Sequence, residues 1–386
     1  MALTKIGTDS IKDDAVTSAK IPANAVTQSE VNFPVANRNL IINGAFLIAQ
    51  RSTSDTGNGY TTVDRVTHYR ANVNENPTFS QSDVAAGTTP YKLGFRKAFK
   101  IQNGNQTGGI AATNQIQADY RFEAQDIANS GWDYTSSSSF ITLSFWVKSS
   151  VSQDFKYHLR TTDGTNRNYH FNTGVLSANT WTKIIKTIPG DSNITMDNDN
   201  GVGMELMLFS QYGTNLTGNF TNNAWSNWSS SERTQDQTLT WYATNNATYE
   251  ITGVQLEVGS VSTSFQHRSF AQELDLCQRY YQKSYDYSTT PGTATTTGSI
   301  SNTAYDAINY AGNSVQLPVR MRAAPTVTLY GTSTGSTGKI NADSAEGTGQ
   351  ATYIGEKNFF AHRQDDGTGV GTNVYIRFQF QAVAEL

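Results

Sequence analysis

The chain has 386 residues, of which 37% are hydrophobic, 11% aromatic and only 16% charged, with a formal net charge of −4 at pH 7. That aromatic content excludes a disordered polypeptide, and the slightly acidic balance removes the electrostatic case for binding nucleic acid. No run approaches the ~20 apolar residues that cross a bilayer, so no membrane insertion is expected; the first residues lack an apolar signal core, and a single cysteine excludes disulfide frameworks and cysteine metal sites.

The N-terminal segment carries a repeat. Ile6, Ile11, Val16, Ile21, Val26 and Val31 place one β-branched residue at every fifth position, a period of neither helix nor strand. Such a column reads as one inward residue per step of a solenoid-like coil, and a segment this short cannot bury a continuous core alone. The spacing therefore predicts an intermolecular stem over residues 1–37, with identical chains wound about a shared axis. The alternative is an unstructured arm with accidental spacing.

From residue 38 the texture changes to short apolar runs between Asn, Gly and Ser clusters. Leu40-Ile41-Ile42 precedes the turn dipeptide Asn43-Gly44. Residues 140–147 alternate, with Ile141, Leu143, Phe145 and Val147 on one face. Residues 155–160 alternate more sharply: Phe155, Tyr157 and Leu159 inward, Lys156, His158 and Arg160 outward. Asp163-Gly164 joins them to residues 168–171 as a hairpin. Residues 204–209 are apolar on both faces apart from Glu205, and Val254, Leu256 and Val258 alternate with Gln255 and Glu257. Short strands at close intervals predict an all-β fold, an antiparallel jelly-roll sandwich over residues 38–268.

Ser269 and Gln272 fit a capping box that opens a linker helix within residues 269–287, with Phe270, Leu274, Cys277 and Tyr281 on one face. Cys277 is then a buried small hydrophobe rather than a nucleophile. The Thr/Gly/Ser-rich stretch 288–299 marks a boundary. Residues 288–386 read as a second β domain, with strands at 326–330 and 374–380.

Residues 251–260 (Ile-Thr-Gly-Val-Gln-Leu-Glu-Val-Gly-Ser), continuing through residues 265–270 and 273–281, resemble a junction found in many bacteriophage and prophage tail-fibre proteins. Residues 39–44 look like the opening strand of that family, residues 145–149 like its central strand, and residues 321–328 like the lead-in to its C-terminal domain. The five-residue repeat is similar to stems of marine-phage fibres. The resemblance implies a protein of the virion exterior: a carbohydrate-binding-module-like jelly roll on a homotrimeric stalk, held to other virion proteins through the stem and contacting host-surface glycan. It carries no defined ligand set. The sequence departs from long tail fibres in lacking an extended shaft and a large N-terminal attachment domain, which leaves tail and capsid both open as attachment points.

Two features offer sugar contacts. Trp225 and Trp228, in the Asn-rich stretch 215–233, either present flat faces to sugar rings or cover the end of the sandwich. The row Lys156, His158 and Arg160, with Asn168 and His170 across the hairpin, suits an anionic glycan; a solvated face or a subunit contact is the alternative. Asp197 and Asp199, in Asp-Asn-Asp-Asn-Gly, have the oxygens of a calcium loop without its distant bidentate Glu, so a structural calcium competes with a plain turn. Gly331-Thr332-Ser333-Thr334-Gly335 matches a nucleophile elbow, and Asp343 and His362 follow in order, yet the residues after it do not start a helix. No catalytic residue is assigned. A capsid-decorating head fibre is the alternative within the same particle, and a polysaccharide depolymerase the alternative of another class.

Overall fold

In the computed structural model, which describes residues 38–106, 108–304, 312–342, 345–363 and 374–386, the predicted alternation builds a jelly-roll sandwich. Ile6, Ile11, Val16, Ile21, Val26 and Val31 lie outside the described residues. In chain order the sandwich strands are β1 (Ser54–Asp55), β2 (Val66–Ala71), β3 (Thr78–Asp83), β4 (Lys97–Gln102), β5 (Gln115–Glu123), β6 (Phe140–Ser149) and β7 (Asp154–Thr161). They continue as β8 (Arg167–Val175), β9 (Thr182–Pro189), β10 (Val202–Tyr212), β11 (Thr217–Gly218), β12 (Ala224–Asn227), β13 (Thr234–Gln235) and β14 (Thr248–Val258). One sheet runs β1-β3-β4-β14-β6-β9, the other β12-β8-β7-β10-β5-β2, and β11 pairs with β13.

The core lies between the two large sheets. β6 contributes Ile141, Leu143, Phe145 and Val147, none more than 2% exposed, against Ile116, Tyr120, Leu159, Phe171 and Leu206 of the other sheet. A bulge at Gly253 shifts the register of β14 against β6. Its φ is +64°, and a Cβ there would meet the Phe95 ring at 2.6 Å, so a side chain is refused both by conformation and by space.

Residues 40–42 are not the expected strand. They run beside β14, where the Asn39 side chain occupies the ladder: its Nδ2 donates to Val254 O (3.1 Å), and its Oδ1 accepts from Leu256 N (3.1 Å) and Ile41 N (3.0 Å). The chain then turns through Asn43, at φ 60°.

The helix Phe270–Gln278 carries the predicted capping box, Ser269 N donating to Gln272 Oε1 (3.0 Å) and Gln272 N to Ser269 Oγ (3.3 Å). Cys277 is fully buried, and burial pushes its thiol well above the usual range. The expected four-residue face is shorter than predicted. Phe270 is 49% exposed, Glu273 is buried instead, and Tyr281 has left the helix for β15 (Tyr281–Lys283).

The C-terminal sheet adds β16 (Ile300–Ala304), β17 (Gly312–Gln316), β18 (Thr326–Tyr330), β19 (Lys339–Ala342), β20 (Ala345–Thr352), β21 (Asn358–Arg363) and β22 (Val374–Val383). β22 is its hub, paired with β15, β16, β18 and β19, over a core that includes Met321, Leu329, Ile340, Phe359 and Phe378. After β22 the chain returns to the sandwich, where Glu385 pairs with Arg51 (3.0 Å) and Arg65.

Candidate functional site

The β7–β8 hairpin sets the geometry. Phe155, Tyr157 and Leu159 enter the core, which sends Lys156, His158 and Arg160 to the opposite face of the sheet. The register places His158 against His170 and Arg160 against Asn168.

That face is not bare. Residues 213–237 fold back across it, fixed by polar contacts: Asn168 Nδ2 donates to Arg233 O (3.2 Å), Gln237 Nε2 to Ser210 Oγ (2.7 Å) and Tyr212 N to Gln237 Oε1 (2.8 Å). Phe220 stacks on His170 at 4.0 Å. The two imidazoles expected to point outward to solvent are therefore buried, His158 at 4% exposure and His170 at 0%. Burial, reinforced by His170 and Arg160 against the opposing hydrogen bond to the Arg233 backbone, pulls His158 down to about 3; burial pulls His170 down to about 4. Both nitrogens of His170 and Nδ1 of His158 have no hydrogen-bond partner.

Beside this cover a recess of about 210 Å³ opens over three adjacent strands. β5 lines it with Gln117, Asp119 and Arg121, β10 with Glu205 and Tyr212, β7 with His158 and Arg160, and the cover with Trp228 and Arg233. Glu205 is held by two guanidinium groups, Arg121 Nε at 2.9 Å and Arg160 Nη1 at 3.1 Å. The Arg160 guanidinium in turn lies 3.9 Å from the Trp228 ring centroid. Tyr212 Oη donates to Gln117 Oε1 (2.7 Å), and Gln117 Nε2 donates to Asp119 Oδ2 (2.6 Å). Burial, then Glu205 beside it, pushes Asp119 up to about 7, against the opposing pull of Gln117, Arg121 and Arg233.

The sequence-predicted residues thus separate. His158, Arg160 and Trp228 meet at the recess. Lys156 pairs instead with Asp154 (2.7 Å), and His170 lies under Phe220. Trp225 packs against the sandwich core, edge-on to Tyr169 at 5.3 Å, with its Nε1 donating to Pro189 O (2.8 Å). The two tryptophans consequently do not share one platform. Asp197 N donates to Asp163 Oδ2 (2.8 Å), while Asp199 Oδ1 accepts from Gly201 N (2.8 Å) in a local turn. Among the described residues, no group of three or more His, Cys, Asp or Glu has the geometry to hold a metal ion. Ser333 Oγ donates to Glu346 Oε1 (2.8 Å) in a turn with no helix after it; Asp343 lies outside the described residues.

Sequence reasoning missed Gln117, Asp119, Arg121, Glu205 as a recess residue, Tyr212 and Arg233. A signal was present in β5, which alternates polar and apolar through Gln115, Gln117, Asp119, Arg121 and Glu123. That row marks a polar face that is not simply solvated.

No family model matches the chain, and no curated protein matches it in sequence. Solved structures of low sequence identity are similar to it in fold. The enzymatically active domain of a bacteriophage CBA120 tailspike protein is 10% identical with a TM-score of 0.32, over 57% of this chain and 21% of that one. A protein named for sugar binding, from Bacteroides thetaiotaomicron, is 12% identical with a TM-score of 0.31, over 57% of this chain and all of that one. A xylanase fragment of Clostridium thermocellum is 9% identical with a TM-score of 0.27, over 60% of this chain and 32% of that one. The chain thus spans about a fifth of the tailspike domain and about a third of the xylanase fragment.

Proposed function

We propose that this protein is a non-enzymatic structural component of a phage particle, trimeric through its N-terminal repeat, that holds a sugar of the host-surface polysaccharide in the recess over β5, β10 and β7. The recess is the observation that carries the reading. It is smaller than the roughly 300–1,000 Å³ of drug-sized pockets and so suits a single ring. It combines one indole with an ordered set of hydrogen-bonding side chains, the pairing of flat apolar face and fixed polar groups that sugar recognition uses. The sequence resemblance to tail fibres supplies the setting. A shallow site of this kind binds at around millimolar, about 4 kcal/mol, and a trimer turns later contacts into intramolecular ones. The test is a glycan array probed with full-length protein and its Trp228→Ala variant. Host-type polysaccharide retained by the first and lost by the second supports the reading; equal retention overturns it.

One observation favours a depolymerase. Asp119 and Glu205 are two carboxylates of one recess in different surroundings, Asp119 pushed up to about 7 and Glu205 clasped by two arginines. Release of reducing ends from host polysaccharide, abolished by Asp119→Asn, would establish that activity.

A further inference from the structure

We propose that the ring held in the recess carries a carboxylate, making the ligand an acidic polysaccharide rather than a neutral one. This rests on the glycan reading above and narrows it.

The argument is charge. Three guanidinium groups, Arg121, Arg160 and Arg233, face the recess, and Glu205 engages two of them. Among the described residues Arg233 forms no ion pair; its Nε donates to Ser230 O (3.1 Å) and its side chain reaches the Tyr212 hydroxyl. A guanidinium in a half-closed polar site, within the field of Asp119 but in direct contact with no carboxylate, presents a planar fork that matches a carboxylate from outside.

The second carboxyl, Asp119, sets the sign of the pH dependence. It faces Glu205 and Tyr212 from β10, His158 and Arg160 from β7, Arg121 on its own strand and Arg233 from the cover. Tyr60 adds a further ionisable group within its field. Protonated, Asp119 leaves Glu205 as the single negative side chain of the recess; ionised, it repels an incoming anion. Its position at about 7 means that this change falls within the ordinary working range. Binding of an acidic sugar therefore strengthens as pH falls through 7, while a neutral sugar has no reason to follow that curve.

The experiment is calorimetric titration of the full-length protein with oligomers of galacturonate and glucuronate, their neutral parents and sulfated parents, between about pH 5.5 and 8.5. The expected result is binding of the uronate oligomers at least about tenfold tighter than of the neutral parents at the acid end. It weakens by up to about tenfold per pH unit above 7 and weakens with added salt. Arg233→Gln should remove the preference for acid, since only the backbone of Arg233 holds Leu216 and Asn168. Asp119→Asn should flatten the pH profile; if that variant does not fold, Arg233→Gln alone decides. Neutral and uronate oligomers bound equally, without pH dependence, would overturn the inference and leave the glycan site standing. Sulfated oligomers bound in preference to uronates would overturn the carboxylate assignment. No binding by any oligomer would remove the glycan reading itself.

Discussion

Arg279 grips Glu123 with Nε and Nη2, each at 2.7 Å, so that the residue just past the junction helix closes on the last residue of β5. Glu123 is fully buried and also accepts from Tyr280 Oη (2.6 Å) and Gln125 Nε2 (2.6 Å). Burial alone would raise its pKa, but the hydrogen bonds from Arg279 and Tyr280 outweigh it and hold the carboxyl below the usual range. The latch joins the sandwich to the segment that begins the C-terminal sheet.

Arg279→Ala leaves this buried carboxylate with two neutral donors in place of a fork. Loss of a charged, bidentate pair with one buried partner costs about 2–3 kcal/mol here, at the lower end because Tyr280 and Gln125 stay. Urea unfolding should show a lowered midpoint, with Arg279→Lys recovering only part of it. Because the folded-state pKa of Glu123 is depressed, its contribution is present above the ordinary carboxylate range and is lost as pH falls through the folded value. The difference between wild type and Arg279→Ala should accordingly shrink in acid.

His158 and His170 give a second acid response. Their folded pKa values, about 3 and about 4, lie below the ordinary 6.5. The unfolded chain therefore binds protons first as pH falls below 6.5, and stability drops from there down to the folded values. For His170 alone the loss by about pH 5 is about 2 kcal/mol. His170→Phe removes this titration while keeping a ring against Phe220. The variant should unfold within about 1 kcal/mol of wild type near pH 7 and be the more stable of the two near pH 5. Denaturant melts at the two pH values check it; an unchanged acid response would place the titration elsewhere.

The sandwich was legible because its signal is local: Phe155, Tyr157 and Leu159 announce their face by alternation alone, and so do Ile141 and Leu143. The burial of His158 and His170 was not legible. It depends on residues 213–237, a polar stretch that returns across the sheet from some fifty positions away, and nothing in its composition says what it covers. The recess was half legible. The polar row of β5 can be read in sequence, but the pairing of Arg121 with Glu205 arises from the β5–β10 register, which no local pattern encodes. Residues 40–42 misled for the opposite reason. Three apolar residues before Asn-Gly have strand texture, and a side chain of Asn39 took the place of the ladder.

The stem proposal is tested by truncation. If the column of Ile6, Ile11, Val16, Ile21, Val26 and Val31 winds identical chains together, removing residues 1–33 should turn a trimer into a monomer in light scattering while the main unfolding transition stays within a few degrees. The truncated chain should also fail to occupy particles that lack the protein. A full-length protein that runs as a monomer at micromolar concentration would sink the stem assignment, and normal incorporation of the fragment would sink the anchoring one.

Trp225 and Trp228 sit three residues apart and should behave as opposites. Trp225 packs against the core of the sandwich and donates to Pro189 O, so Trp225→Ala removes packing and a hydrogen bond together. A fully buried Trp→Ala costs ~3–5 kcal/mol, and for this half-buried ring about 2–3 kcal/mol is expected, with glycan retention unchanged at temperatures where the variant is folded. Trp228 lies on the recess wall with one face over Arg160. Trp228→Ala takes away a cation–π contact at a partly exposed site, worth about 0.5–1 kcal/mol, and should barely move the melting temperature. It should instead abolish retention of polysaccharide, because the wall that a sugar ring would rest on is gone and the Arg160 guanidinium loses its seat. Melting curves and the glycan array, run on both variants, separate the roles. A Trp225→Ala protein of normal stability that no longer binds, paired with a Trp228→Ala protein that binds normally, would reverse the assignment and move the sugar site to the end of the sandwich beside Tyr169.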